Sequence, residues 1–413
     1  MFETLRSVWK IEDLRKKIIY TIGMLILYRL LCVVPVPGID LASVQSGLET
    51  YSLLQFMNSI TGSGLQNYTI MAMGISPYIN ASIIMQLLTV AIPKLEEINK
   101  SGEEGRKKIA QYTRYVTVIL GFLQAVGLTA AIGAQASGGT LGLITIGFCM
   151  AAGTAVAMWI GERITENGIG NGISLLIFAG IISSLATQFA GGVYTSFVTP
   201  SYMLIGIPVL IISLVLIVSV TCVDMGERRI PVQYAKRMVG RKMYGGQSTH
   251  IPLKVNSSGV LPLIFASALM QFPPTILAMF GNNWWSENIN AMGFWYQLIF
   301  ALLIIGFTFF YSSITFNPDD MAKNMQQNGG SIPGIRQGKP TAIFISKISK
   351  RINLFGALFL AVLATLPTLV YGVANISLPF QASSLLIAVS VALETARQLE
   401  SQMLMRHYKG FLK

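Results

Sequence analysis

Twenty-nine of the thirty lysines and arginines in this 413-residue chain fall in every second gap between ten apolar runs. The runs lie at 18–34, 75–92, 115–134, 141–160, 172–190, 203–223, 259–280, 294–316, 352–374 and 378–396. Each is close to the roughly 20 residues that an α-helix needs to cross a bilayer. The segments 1–17, 94–114, 161–171, 224–258, 317–351 and 397–413 carry five, six, one, seven, six and four basic residues. The gaps near 35–74, 135–140, 191–202, 281–293 and 375–377 carry none. Basic residues stay on the cytoplasmic side of a membrane, so the alternation predicts both termini in the cytoplasm. One run too many or too few would scramble it. Charged residues make up 12% of the chain, about half the ~25% of soluble domains. The expected architecture is an all-α, polytopic membrane protein with ten transmembrane helices.

Two of the runs share a pattern. Gly74–Leu87 reads GISPYINASIIMQL, and 185 residues later Gly259–Phe272 reads GVLPLIFASALMQF, with seven of fourteen positions identical. Gly and Pro come first in each copy and suit the start of a helix. Ile79, Ser82 and Gln86 then fall on one helical stripe, as do Ile264, Ser267 and Gln271. Lipid offers Ser and Gln no partner, so both stripes are expected to face protein or water. Two readings stand: a small-residue packing interface, or two related helices facing each other across a polar path. The copies occupy the second and seventh runs. Five spans separate them, so they cross the membrane in opposite directions, the geometry of an inverted repeat.

Residues 1–17, with Phe2, Leu5 and Trp9, suit an amphipathic segment on the cytoplasmic membrane surface. No small-residue cleavage site follows the first run; Pro35-Val36-Pro37-Gly38 does, so the run is read as a retained span. Arg29, the thirtieth basic residue, sits late in that span, where its side chain can snorkel to the far interface. Residues 39–73 are too polar for an ordinary span and too apolar for an ordinary loop. Leu65–Met73 is expected to form a half-helix of a re-entrant segment, ended by Gly74 and Pro77, a form tolerated at membrane depth only against protein or a water-filled cavity.

No enzyme is expected. Gly168–Gly172 resembles a dinucleotide-binding glycine run, but no strand precedes it, and a tight turn is the expected outcome. Cys32, Cys149 and Cys222 are far apart, and two histidines cannot build a metal site, so no cofactor or metal is expected. The spans hold almost no ionisable groups, which weighs against ion-coupled transport. The cytoplasmic segments 224–258 and 317–351 are longer than topology requires, and their basic residues suit an acidic partner or anionic lipid.

The runs GISPYINASIIMQLL at Gly74–Leu88, GERITENGIGNGIS at Gly161–Ser174, QSTHIPLKVN within Arg228–Asn256, and NPDDMAKNMQQNGGSIPGIRQG at Asn317–Gly338 resemble the SecY/Sec61-alpha family. The resemblance covers essentially the whole chain. It implies two inverted five-helix halves, 18–190 and 203–396, with a plug at about 61–73 and a cytoplasmic tail at 397–413. It implies a channel for unfolded preproteins and signal sequences, in a bacterial plasma membrane, that releases transmembrane segments sideways into lipid. The pore ring would be Ile79, Ile83, Ile177, Ile181, Ile264 and Ile387. The lateral gate would hold Ser82, Gln86, Ser267 and Gln271. Arg241, Lys242 and Arg336 would dock SecA and the ribosome. The implied partners are SecE, SecG, SecA, the ribosome, YidC and the phospholipid membrane. The external loops near 191–202 and 281–293 and the tail are short for the family. Against this stand a small-molecule carrier, which needs a polar constriction, and an intramembrane enzyme, which needs a nucleophile–base or metal set.

Overall fold

The computed structural model describes residues 9, 11–39, 61, 62, 64–131, 139–198, 200–234, 237–239, 242–244, 248–279, 293–374 and 382–410. Each of the ten apolar runs overlaps a helix: α1 (Glu12–Leu31), α2 (Ser76–Ala91), α4 (Glu103–Ala131), α5 (Gly139–Asn167), α6 (Gly172–Val198), α7 (Pro200–Met225), α8 (Leu261–Met279), α9 (Phe294–Thr315), α11 (Lys339–Ala374) and α12 (Ala382–Gly410). Two short helices, α3 (Pro93–Lys100) and α10 (Pro318–Gln327), complete the helical part. Among the described residues, four helices are long and apolar enough to cross a membrane by themselves; α2 and α3 pass the same test only when taken together, and they are bent by 101°. The bend has a local cause: Pro93 lacks an N–H and pushes Ile92 into extended backbone, with φ −108° and ψ 113°.

Several helices outrun their apolar stretches. α4 begins at Glu103, α11 at Lys339, and α12 continues to Gly410. The surplus turns are charged, since backbone hydrogen bonding continues past the apolar stretch wherever the sequence permits it. The amphipathic segment expected at 1–17 is described only in part: Glu12–Lys17 open α1, and residues 1–8 and 10 lie outside the described residues.

Within the first half α4 packs on α2 and α5, and α5 on α1 and α6; within the second, α9 packs on α8 and α11, and α12 on α7 and α11. The seam between halves is made by α8 against α2 and α4, and by α6 against α7 and α12. A large buried cluster crosses this seam, joining α2 and α6 to α8, α9, α11 and α12.

The two long basic excursions are not simple loops. Strand β1 (Glu227–Tyr234) pairs antiparallel with β4 (Ser248–Lys254) on one side and with β5 (Gly330–Ser331) on the other. Strands β2 (Arg237–Val239) and β3 (Lys242–Tyr244) form a separate hairpin. The three-stranded sheet joins both long basic excursions over a core of Ile230, Val232, Leu253, Met325, Ile332 and Ile345. The fold is therefore mainly helical, with a small sheet outside the spans.

The half-helix expected at Leu65–Met73 is a chain of turns instead. Tyr68 has φ +45° and Gly74 φ +52°, outside the helical region. The backbone turns outward to a neighbour: the Ile70 N–H donates to Val34 O, and the Val36 N–H donates to Tyr68 O. Those bonds replace the helical ladder. Leu65, Tyr68, Ala72 and Met73 are buried against Ala125 and Leu128 of α4 and Ile146 and Met150 of α5.

The Gly168–Gly172 run makes the expected tight turn. Gly170 has φ +81°, and a Cβ at Gly172 would stand 2.0 Å from Gly161 O. Of the cysteines, only Cys32 is buried; Cys149 is half-buried and Cys222 exposed.

Candidate channel constriction and lateral seam

Six isoleucines from four helices belong to one buried cluster of 33 residues. Ile79 and Ile83 come from α2, Ile177 and Ile181 from α6, Ile264 from α8 and Ile387 from α12. Their exposures lie between 0 and 8%. On α2 and α6 the pairs are four residues apart, so each helix presents two consecutive turns on one face. The helices belong to both halves, so the cluster closes the seam. Met71 and Ile75, from the turns preceding α2, join the same cluster. Branched apolar side chains offer an ion no replacement for its hydration shell, whereas the side chains themselves can be displaced.

The start of α2 recurs at the start of α8. Gly74 and Gly259 both have positive φ, +52° and +62°, and each lies two residues before its helix begins. The polar stripes differ in detail. The Gln86 side chain donates from Nε2 to Ser82 Oγ at 3.4 Å. Ser267 Oγ donates to Ile264 O in its own helix at 2.8 Å. Both hydroxyls are thus engaged within their own helices, while α2 and α8 pack directly on one another. The side chain of Gln271 lies outside the described residues.

The expected docking residues fall on the two long basic excursions. Arg336 is exposed in the turn between β5 and α11, and its carbonyl accepts from Thr341 Oγ1 at 2.9 Å. A second bond, from Gln337 Nε2 to Gly330 O at 3.1 Å, braces the same turn. Lys242 opens β3, its backbone paired with Val239; its side chain and Arg241 lie outside the described residues.

Three polar arrangements escaped the sequence reading. Arg29 does not snorkel to an interface; its Nη2 donates to Gly62 O at 3.2 Å and to Ser183 Oγ of α6. Asp224, at the end of α7, accepts from Asn256 Nδ2 at 2.8 Å and from Ser390 Oγ, and its carbonyl accepts from Arg397. That set ties α7, the segment before α8, and α12 together. Arg114 of α4 and Glu162 of α5 form a 2.9 Å ion pair. The available signal was a polar residue at the end of, or inside, an apolar run, which marks a protein-facing position. Beyond the spans, on α3, the Lys100 ammonium is held above its ordinary pKa by its hydrogen bond to Glu96, with the carboxylate's charge adding to the effect.

A family model described as SecY matches residues 69–396. Protein translocase subunit SecY of Streptomyces coelicolor is 42% identical over 440 residues, covering 100% of both chains. Protein translocase subunit SecY of Halalkalibacterium halodurans is 43% identical, again over 100% of both. Among solved structures, one described as "The structure of a protein conducting channel" superposes with a TM-score of 0.68 at 20% identity, covering 94% of this chain and 93% of that one. A Sec61 chain from a canine ribosome–channel complex gives 0.61 at 18% identity, covering 94% and 93%. The two inverted copies, the seam between halves and the full-length similarity converge: this chain belongs to the SecY family.

Proposed function

We propose that the chain is the channel subunit of a protein translocase, passing unfolded polypeptides across the membrane and releasing apolar segments sideways between α2 and α8. The observation that supports this is that six buried isoleucines from both halves belong to one apolar cluster. A solute carrier would need polar groups at its narrowest point, and these side chains are apolar. A polypeptide can part them, because each is held only by dispersion and burial. The turns at 64–75 pack against the same cluster and suit a plug on its outer side.

The charge alternation supports a plasma-membrane protein with both termini cytoplasmic. The sheet and Arg336 suit docking of SecA and the ribosome, with SecE, SecG and YidC as membrane partners. Energy for transport would come from such partners, not from this chain.

The test is electrical. The complex with its partner subunits is reconstituted in planar bilayers, with Ile83 and Ile387 both replaced by Asn. A polar side chain lowers the barrier to wetting, so resting ion conductance rises, and weak signal sequences pass more readily. Unchanged conductance together with unchanged signal selectivity sinks the reading.

A further inference from the structure

A guanidinium inside a membrane protein is costly, and a long side chain near a helix end has a cheap escape to the interface. Arg29 does not take it. Besides the two bonds from Nη2, among the described residues the buried Nη1 has no hydrogen-bond partner and Arg29 has no ion pair. The residue it grips is shaped for it. Gly62 has φ +64°, and a Cβ there would stand 2.1 Å from Nη1 and 3.0 Å from Gly180 O. Only glycine lets the segment carrying residue 62 lie against both α1 and α6. The second anchor, Ser183, follows the ring residue Ile181 by two positions on α6.

These contacts are of a particular kind. Both acceptors are neutral, so parting these two bonds strands no carboxylate among the described residues. A carboxylate partner would resist release far more strongly, since breaking a buried ion pair strands a charge. Hydrogen bonds to a charged group are nonetheless worth more than neutral ones. The arrangement is firm but separable, which suits a moving part better than a permanent brace.

We propose that Arg29 is the positioning residue that latches the 61–75 segment over the isoleucine cluster, and that its release is a step in channel opening. The proposal rests on the channel reading above. Losing these bonds raises the population of the released state roughly tenfold to a hundredfold.

The test uses the reconstituted complex and two readouts: resting conductance in potassium chloride, and the rate at which an impermeant maleimide modifies a cysteine at Ala72, which is fully buried. The background has Cys32, Cys149 and Cys222 replaced by Ser. R29Q removes the guanidinium, G62A displaces it sterically while keeping its charge, and S183A removes one acceptor. R29Q and G62A are expected to raise both readouts roughly tenfold or more, S183A less. A cysteine at Ala125, equally buried on α4, keeps its parent rate. If R29Q does not accumulate, G62A and S183A decide: raised Ala72 labelling supports the latch, and the parent rate overturns it. Equal acceleration at Ala125 also overturns it, because the arginine is then a general brace. If the Ile83 and Ile387 variant leaks while R29Q and G62A behave like the parent, the latch fails and the channel stands. If neither class leaks, the channel reading itself fails.

Discussion

The helices α2 and α8 begin with the same residues and the same backbone turn, yet they are set into the protein differently. At Gly74 an added Cβ would stand 3.0 Å from Thr61 Cγ2, while at Gly259 nothing lies within 4 Å. The chain entering α2 comes through buried turns packed on α4 and α5; the chain entering α8 comes from β4 through a stretch in which Ser257 is exposed while Asn256, Ser258 and Val260 are buried. Local sequence repeats can thus fix equal helix starts while tertiary packing assigns them unequal freedom. Gly74 sits in a tight socket, whereas the space beside Gly259 is open.

The strongest way to break this comparison is to fasten the two helices together. A short cross-link between cysteines near Ser82 and Ser267 abolishes secretion and membrane insertion, and a long flexible one restores secretion. A disulfide needs Cα atoms within about 7 Å, so neighbouring pairs are scanned. Efficient short cross-linking with full transport means that α2 and α8 are merely a packing pair. The next largest effect is on the socket. A Cβ at Gly153 of α5 would stand 2.0 Å from Ile70 O, a backbone atom that cannot step aside. G153A costs about 3 kcal/mol or more, read as the denaturation midpoint of the purified protein.

The glycine pair sharpens the contrast further. G259A adds only left-handed backbone strain, about 1 kcal/mol, whereas G74A adds crowding against Thr61 and reaches about 2 kcal/mol. Equal midpoints for the two variants would erase the asymmetry. The smallest structural effect is at Arg336. R336A shifts stability by less than about 0.5 kcal/mol, as exposed sites do. It lowers motor-driven secretion more than ribosome-coupled insertion in paired transport assays. Equal loss of both routes would remove Arg336 from motor docking.

The spans were legible because lipid demands long apolar runs, and the basic residues then number them. The turns at 64–75 were not. Leu65–Met73 has helical composition, but Tyr68 adopts positive φ and the backbone bonds to Val34 and Val36, partners about thirty residues away that local patterning does not announce. The sheet was legible and missed. Arg229, Pro231 and Gln233 are exposed while Ile230 and Val232 are buried, the period of two expected of a strand. The candidate ring was legible only through family likeness, since single isoleucines in apolar helices look alike. Its meeting in one cluster is a property of the packing. Arg29 was visible as an oddity, but its direction was set by Gly62 and Ser183, far away in sequence.

The 101° corner between α2 and α3 has a mechanical consequence. Eight residues of helix give α3 a reach of about 12 Å. Because it leaves α2 nearly at right angles, turning α2 about its own axis swings the Lys100 end sideways. A turn of about 10° sweeps that end by about 2 Å. In that geometry α2 is a shaft and α3 its crank: a sideways push on α3 would act as torque on the helix that carries Ile79 and Ile83.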